Sequence, residues 1–141
     1  MSDMYNLRII GADRVFYEGP CLSLIVPAFD GEKEVLAHHE AMVIAVTDGE
    51  MRYKTEDGTW HIGYVGRGFV QIANNRVILL TESAEKPEEI DVRRAEEAKE
   101  RALEQLRQKQ SIQEYYHSSA SLARAMARLK TSRQTAGKIR I

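Results

Sequence analysis

Short apolar runs alternate with polar turn residues along the first part of the chain, up to about Ser83. Four pairs of residues punctuate the runs: Asp30-Gly31, Asp48-Gly49, Asp57-Gly58 and Asn74-Asn75. Asp-Gly and Asn-Asn pairs tolerate the positive φ angles that tight hairpin turns require. About ten short strands at this spacing are typical of an all-β fold. Residues 1–86 are therefore predicted to form a sandwich or barrel of antiparallel strands.

The pattern changes to a helical period after Pro87. Ile90 and Asp91 are predicted to precede and cap a helix that runs from Val92 to about Lys109. A second helix follows a break at residues 110–111 and runs to about Thr131. Each helix carries one narrow stripe, Ala95, Ala98, Ala102 and Leu106 in the first and Tyr115, Ser119, Leu122, Met126 and Leu129 in the second. We predict an antiparallel two-helix hairpin over residues 87–141, with so little core of its own that it is a candidate moving part.

Charge is distributed unevenly, although the formal net charge of the 141 residues is only −1. Acidic residues are concentrated between Glu82 and Glu104, and none follows Glu114. Basic residues continue to the end of the chain as Arg124, Arg128, Lys130, Arg133, Lys138 and Arg140. The near-neutral total and the absence of basic, aromatic-rich strands argue against a nucleic-acid partner. The basic tail is predicted to be either a solvated helix face or a surface that pairs with acidic partners.

Membrane and secretion signals are absent from the pattern. The apolar runs are far shorter than the length that crosses a bilayer, and the first residues do not resemble a secretory leader. The single Cys21 excludes an intramolecular disulfide. We expect an intracellular, soluble chain that reaches a membrane only through a partner.

The sequence also lacks recognisable catalytic and metal-binding motifs. The four histidines, His38, His39, His61 and His117, are scattered, and no cluster of His, Cys, Asp or Glu has metal-ligand spacing. No Ser or Cys lies in a nucleophile motif, and the chain has no phosphate-binding G-x-x-x-x-G-K-[ST] loop. We therefore expect no catalytic residues, no metal site and no required cofactor.

Five segments, taken in order, carry a family likeness: residues 14–19, 31–40, 65–70, 89–102 and 122–130. The second aligns without gaps to the pattern G-E-L-G-I-L-P-G-H-A-P, with His39 retained but Ala37 in place of Pro and His38 in place of Gly. Losing that Pro and Gly is expected to change the turn geometry. Over about residues 5–133 the chain resembles the epsilon subunit of the F-type ATP synthase.

The resemblance implies a place and a task. The sandwich would lie at the foot of the central stalk and couple the rotation of the gamma subunit and the c ring to ATP synthesis. Residues Asp30, Gly31 and Glu32 would contact the c ring, and His39 the gamma subunit. The hairpin would extend into the alpha/beta hexamer and inhibit ATP hydrolysis. The chain would lie at the cytoplasmic face of a bacterial cell membrane. The alternative is an adaptor of an unrelated complex, built from a sandwich and a hairpin.

A possible ATP site also follows from the resemblance. Some family members bind ATP through the pattern I/L-D-x-x-R-A, which is present here at residues 90–95. The resemblance implies a site formed by Glu85, Ile90, Asp91, Arg94, Ala95, Arg101, Arg124 and Arg128, with ATP as a regulatory ligand. Helical spacing supports the convergence of these arginines, which suit a triphosphate. The alternative is that the arginines are solvated partners of Glu97, Glu100 and Glu104.

Overall fold

The computed structural model describes residues 3–108 and 111–136, with side chains up to Arg133. Within these ranges the chain forms nine strands, then a short 3-10 turn at Pro87–Glu89, then two helices. The strands are β1 (Tyr5–Ile10), β2 (Val15–Ala28), β3 (Gly31–Leu36), β4 (Met42–Val46), β5 (Gly49–Thr55), β6 (Trp60–Val65), β7 (Gly68–Ala73), β8 (Arg76–Thr81) and β9 (Ala84–Glu85). The helices are α1 (Val92–Arg107) and α2 (Ile112–Ala136).

The strands form one hydrogen-bonded path, β4-β7-β8-β1-β2-β5-β6-β9, with β3 added to β2. The long strand β2 pairs with β1 along its first half and with β3 and β5 along its second, and its register shifts between Cys21 and Ser23. The path thereby doubles over into the predicted β-sandwich. Two of the short apolar runs, residues 15–17 and 21–26, are parts of this one strand β2.

The prediction of uniformly antiparallel strands is wrong at one pair. β1 and β8 run parallel, with Asn6 opposite Arg76 and Ile10 opposite Leu80. Turn residues identify only strands that are neighbours in sequence, and these two strands are joined by most of the domain. The sequence pattern therefore carried no signal for their direction.

Three of the four predicted turns join paired strands. Asp30-Gly31 links β2 to β3, Asp57-Gly58 links β5 to β6, and Asn74-Asn75 links β7 to β8. The two asparagines have φ angles of 52° and 58°, as a tight hairpin turn requires. Asp48-Gly49 is different, because it joins β4 to β5, and β4 pairs with β7 instead.

The core lies between the two layers of the sandwich and is formed by alternating residues of the strands. Leu7, Leu24, Met51, Val70 and Leu79 are fully enclosed. Cys21 is also buried, as a free thiol. Burial of these apolar side chains stabilises the sandwich independently of the helices.

The helices form the predicted hairpin, and α2 also packs against β5, β6 and the 3-10 turn. Ala95 and Ala102 of α1 are buried, as predicted, but the stripe predicted for α2 is wrong in part. Ser118, Ala125, Leu129 and Thr131 are the buried residues there, whereas Tyr115 and Met126 are exposed. The small residues of α1 bring the helices close together, so the contact face of α2 uses Ser and Ala rather than its largest side chains.

Candidate functional site

A cleft of about 610 Å³ lies between α1, α2 and the segment that joins them to the sandwich. Seven of the eight residues predicted for the site line it: Glu85, Asp91, Arg94, Ala95, Arg101, Arg124 and Arg128. The eighth, Ile90, does not line the cleft. It is buried beside the 3-10 turn, where its N–H donates to the carbonyl oxygen of Pro87. The structure thus brings most of the predicted residues to one place.

Asp91 shapes the start of α1. Its Oδ1 accepts a hydrogen bond of 3.0 Å from the backbone N–H of Arg94, which is the N-cap interaction predicted from the sequence. The cap fixes the first helical turn, and that turn carries both Arg94 and Ala95 to the wall of the cleft. One carboxylate oxygen of Asp91 is occupied in this way.

Arg128 links α2 to the sandwich. Its Nε and Nη2 donate to Oε1 of Glu85 at 3.1 Å and 2.9 Å, and its Cζ lies 4.4 Å from the ring centroid of Tyr64. Burial raises the pKa of the Tyr64 phenol to about 12, so the ring stays neutral beneath the cation. Burial also opposes the charge of Arg128, but the hydrogen bond to Glu85 and the negative charge of that carboxylate outweigh it and raise the pKa of the guanidinium.

The other three arginines of the cleft are not neutralised in this way. Within the described part of the chain, Arg94 and Arg101 form no ion pair, and Arg124 donates only to Ser121 Oγ at 3.1 Å. The predicted alternative partners of these arginines do not pair with them. Glu97 pairs with Arg93 and Glu104 with Arg107, and Glu100 forms no ion pair with the cleft arginines among the described residues. Three guanidinium groups therefore line one cleft without an ion pair to any carboxylate of the described residues.

Four further polar residues line the cleft and were not predicted: Glu89, Gln105, His117 and Ser121. Helical spacing alone would have found three of them, because Gln105 lies four residues after Arg101, and His117 and Ser121 lie seven and three residues before Arg124. A pattern of charged residues does not identify these three, because none of them carries a fixed charge.

Glu89 belongs to the sandwich contact rather than to the open space. Its two carboxylate oxygens accept from Arg14 at 2.6 Å and 2.7 Å, and Arg14 also donates to the carbonyl oxygen of Ala84. The hydrogen bonds from Arg14, followed by that from the Lys86 backbone, lower the pKa of Glu89 to about 2. The pair anchors the joining segment against the start of β2.

The predicted partner-contact residues lie at opposite ends of β3. Asp30 pairs with Lys33 and Glu32 with Arg52 around the exposed β2–β3 turn, where Gly31 has a φ of 120° and Phe29 is 85% exposed. His39 follows β3, and its Nδ1 lies 2.8 Å from the carbonyl oxygen of Glu40. The two groups do not form one site.

His38 retains the backbone that a glycine favours. Its φ is 63°, and its N–H donates to Asn75 Oδ1 at 2.7 Å. His38 thus adopts the left-handed conformation that glycine accommodates most readily, and the effect of the exchange on the turn stays a prediction. The hydrogen bond to the β7–β8 turn offsets part of the strain of that conformation.

The described residues contain no group of three or more His, Cys, Asp and Glu side chains placed to hold a metal ion. Neither described helix combines the length and apolar character that crossing a membrane demands.

Both halves of the chain match models of the same protein family. Residues 4–87 match the family model of the ATP synthase delta/epsilon chain β-sandwich domain, and residues 88–133 match the model of its long alpha-helix domain. The chain is 43% identical to the ATP synthase epsilon chain of Ruminiclostridium cellulolyticum, over 91% of its own length and 95% of the relative's. It is 38% identical to that of Caldanaerobacter subterraneus subsp. tengcongensis, over 92% and 94%.

Solved structures show the same fold at lower identity. A chain in the cryo-EM structure of the Euglena gracilis mitochondrial ATP synthase, OSCP/F1/c-ring, matches with a TM-score of 0.78 and 21% identity, over 98% of this chain and 84% of that one. The central stalk and c-ring structure from Tetrahymena thermophila contains another, with a TM-score of 0.67 and 9% identity, over 90% and 95%.

These matches define a class of protein in which a β-sandwich domain is followed by a long alpha-helix domain. The chain belongs to the ATP synthase delta/epsilon chain family, and the relatives it matches over nearly their whole length are epsilon chains. Membership makes it a non-catalytic subunit of an ATP synthase, as the sequence predicted, and the unrelated-adaptor alternative is not favoured.

Proposed function

We propose that this chain couples rotation of the gamma subunit and the c ring to ATP synthesis, and that its hairpin inhibits hydrolysis when it leaves the sandwich. ATP in the cleft between α1 and α2 would hold the hairpin in the docked form described here. The chain would reach the cytoplasmic face of a bacterial membrane only through the c ring and gamma subunit. Asp30, Gly31, Glu32 and His39 remain its proposed contacts with those partners.

The three unpaired arginines are the observation that carries the regulatory part of this proposal. Arg94, Arg101 and Arg124 approach one space from two helices, and no carboxylate of the described residues neutralises them. Arg94 and Arg101 are exposed, so solvent screens part of the mutual repulsion of these cations, and a bound anion would compensate the rest. A nucleoside triphosphate has the negative charge and the acceptor oxygens that suit such a space. Each guanidinium group can donate two hydrogen bonds to a phosphate at once.

The residues of the cleft thus fit a polyanionic ligand. Arg128 contributes differently, because Glu85 already accepts two of its hydrogen bonds. ATP bound here would be a signal and not a substrate, since no phosphate-binding loop is present in the sequence.

Calorimetric titration of the purified full chain with ATP tests the site. We expect Arg94→Ala and Arg101→Ala each to weaken binding by about 10- to 100-fold, since a charge-assisted hydrogen bond contributes roughly 1.5–3 kcal/mol. Arg93→Ala is the matched control, because Arg93 is the neighbouring residue but is 89% exposed and pairs with Glu97 outside the cleft. Absence of ATP binding, or equal binding by the Arg94 variant, would remove the proposed site.

Removal of residues 111–141 tests the inhibitory role in the assembled enzyme. We expect ATP hydrolysis to rise, because the truncated chain keeps the sandwich but lacks α2 and the basic tail. Copurification of the truncated chain with the gamma subunit serves as the control for assembly. An unchanged hydrolysis rate in a fully assembled complex would contradict inhibition by the hairpin.

A further inference from the structure

His117 lies in the same cleft as the arginines, on the face of α2 that also carries Ser121, Arg124 and Arg128. The spacings of four, three and four residues place these side chains in one row along the helix. His117 is exposed, and it is the one histidine among the described residues that line the cleft. Solvent protons and a ligand therefore reach it through the same opening.

Histidine differs chemically from the other cations of the cleft. Arginine stays charged at every physiological pH, whereas an unperturbed histidine changes its charge between about pH 5 and 8. A protonated imidazole donates two N–H groups, and a neutral one donates a single N–H. A histidine beside an anion therefore adds an attraction that depends on pH.

The charged surroundings of His117 are mixed. Gln105 of α1 lines the same two depressions as His117 and accepts a hydrogen bond from Ser118. Glu114 precedes it by one helical turn and lines a neighbouring depression with it. The other charged groups that share the cleft are Asp91, Arg94 and Arg101 from α1, Glu85 and Glu89 from the sandwich side, and Arg124 and Arg128 from α2.

Most of the negative groups in that set are already engaged. Glu85 is paired with Arg128, Glu89 with Arg14, and Asp91 caps α1. The balance of the open space is therefore positive before any ligand enters. This charge repels a protonated imidazole in the empty cleft, whereas a bound polyphosphate attracts it.

We propose that His117 binds the ligand of this cleft in a pH-dependent way, and that its imidazole takes up a proton when a nucleoside triphosphate binds. The inference rests on the proposed ATP site and adds its regulation. Because anion binding favours the protonated imidazole, the added affinity is fully present at acid pH and is lost as the pH rises. A fall in pH around the chain would then strengthen the hold of ATP on the docked hairpin.

Calorimetry of the full chain with ATP at pH 6, 7 and 8, in two buffers of different ionisation heat, measures both affinity and proton uptake. The terminal phosphate of ATP also takes up a proton near this range, which reduces its charge and acts in the opposite direction. The His117→Gln variant reports that contribution alone. Relative to this variant, we expect the unchanged chain to gain about fivefold in affinity from pH 8 to pH 6.

Two further variants sharpen the test. His117→Lys carries a fixed charge, so it should bind at pH 8 nearly as tightly as the unchanged chain binds at pH 6. His61→Gln is the control, because His61 lies on β6 outside the cleft and stacks on Tyr53. It should keep the pH dependence of the unchanged chain.

The outcomes separate the two proposals. Equal proton uptake and equal pH dependence in the unchanged chain and His117→Gln would overturn the role of His117, while loss of binding in Arg94→Ala would leave the ATP site standing. Failure of the unchanged chain to bind ATP at any of the three pH values would overturn both.

Discussion

The Gly68→Ala variant is expected to lose most of the stability of the sandwich. Gly68 begins β7 between Val46 of β4 and Thr81 of β8. A Cβ at this position would overlap the carbonyl oxygen of Leu80 and lie 2.8 Å from both the Leu80 carbonyl carbon and the Thr81 Cα. All three atoms belong to the backbone, so no side chain rotates away to make room. We expect the free energy of unfolding to fall by about 3 kcal/mol or more.

Gly66→Ala supplies the matched control two residues earlier. A Cβ there would meet its nearest neighbours, Ser83 N and Glu82 Cβ, at 3.4 Å and 3.5 Å, which is ordinary van der Waals contact. We expect a change in unfolding free energy within about 1 kcal/mol, measured by urea denaturation of both variants and the unchanged chain. Equal destabilisation by the two substitutions would show that the approach of β8 to Gly68 is not the cause.

The contrast between these two glycines shows where sequence reasoning reached its limit in the sandwich. The segment Val65-Gly66-Arg67-Gly68-Phe69 was matched to a family pattern, but a pattern does not distinguish a glycine that is close-packed from one that is merely tolerated. That difference depends on the neighbouring strand β8, which lies beside Gly68 only in the folded chain. The parallel pairing of β1 with β8 escaped prediction for the same reason.

Local signals were more reliable. The cap at Asp91 and the turn at Asn74-Asn75 depend on residues close in sequence, and both are present as predicted. Most residues expected in the cleft also converge, because a fixed helical spacing orders them along α1 and α2. The face of α2 was misjudged because the prediction favoured large apolar side chains, whereas the closeness of α1 selects small ones such as Ser118. The pairing of Glu85 with Arg128 joins distant segments and left no trace in local spacing.

Arg128→Ala is expected to release α2 from the sandwich while the sandwich stays folded. The substitution removes two hydrogen bonds to Glu85 and the contact with the Tyr64 ring, and leaves a carboxylate in a half-buried position. Because the pair is about a quarter to a third exposed, its contribution is well below that of a fully buried pair. We expect docking to weaken by about 2 kcal/mol, a roughly 30-fold rise in the open population.

Hydrogen exchange of backbone amides measures that release directly. Amides of α2 should exchange about 30-fold faster in Arg128→Ala, while amides of core strands such as β1 and β8 keep their protection. Arg133→Ala is the matched control, since Arg133 is an exposed arginine five residues further along α2. Uniform acceleration across the sandwich would mean that the substitution unfolds the whole chain rather than undocking the hairpin.

The same measurement joins docking to the proposed ligand. A nucleotide that binds only the docked hairpin must stabilise docking, by about 2.7 kcal/mol at a hundredfold excess over its dissociation constant. ATP should therefore slow exchange in α2 of the unchanged chain by about 100-fold, an effect opposite in direction to the loss of Arg128 and about three times as large. If ATP bound with the expected affinity but left α2 exchange unchanged, the cleft would be occupied equally in both positions of the hairpin, and ATP would have no means of controlling the inhibitory movement.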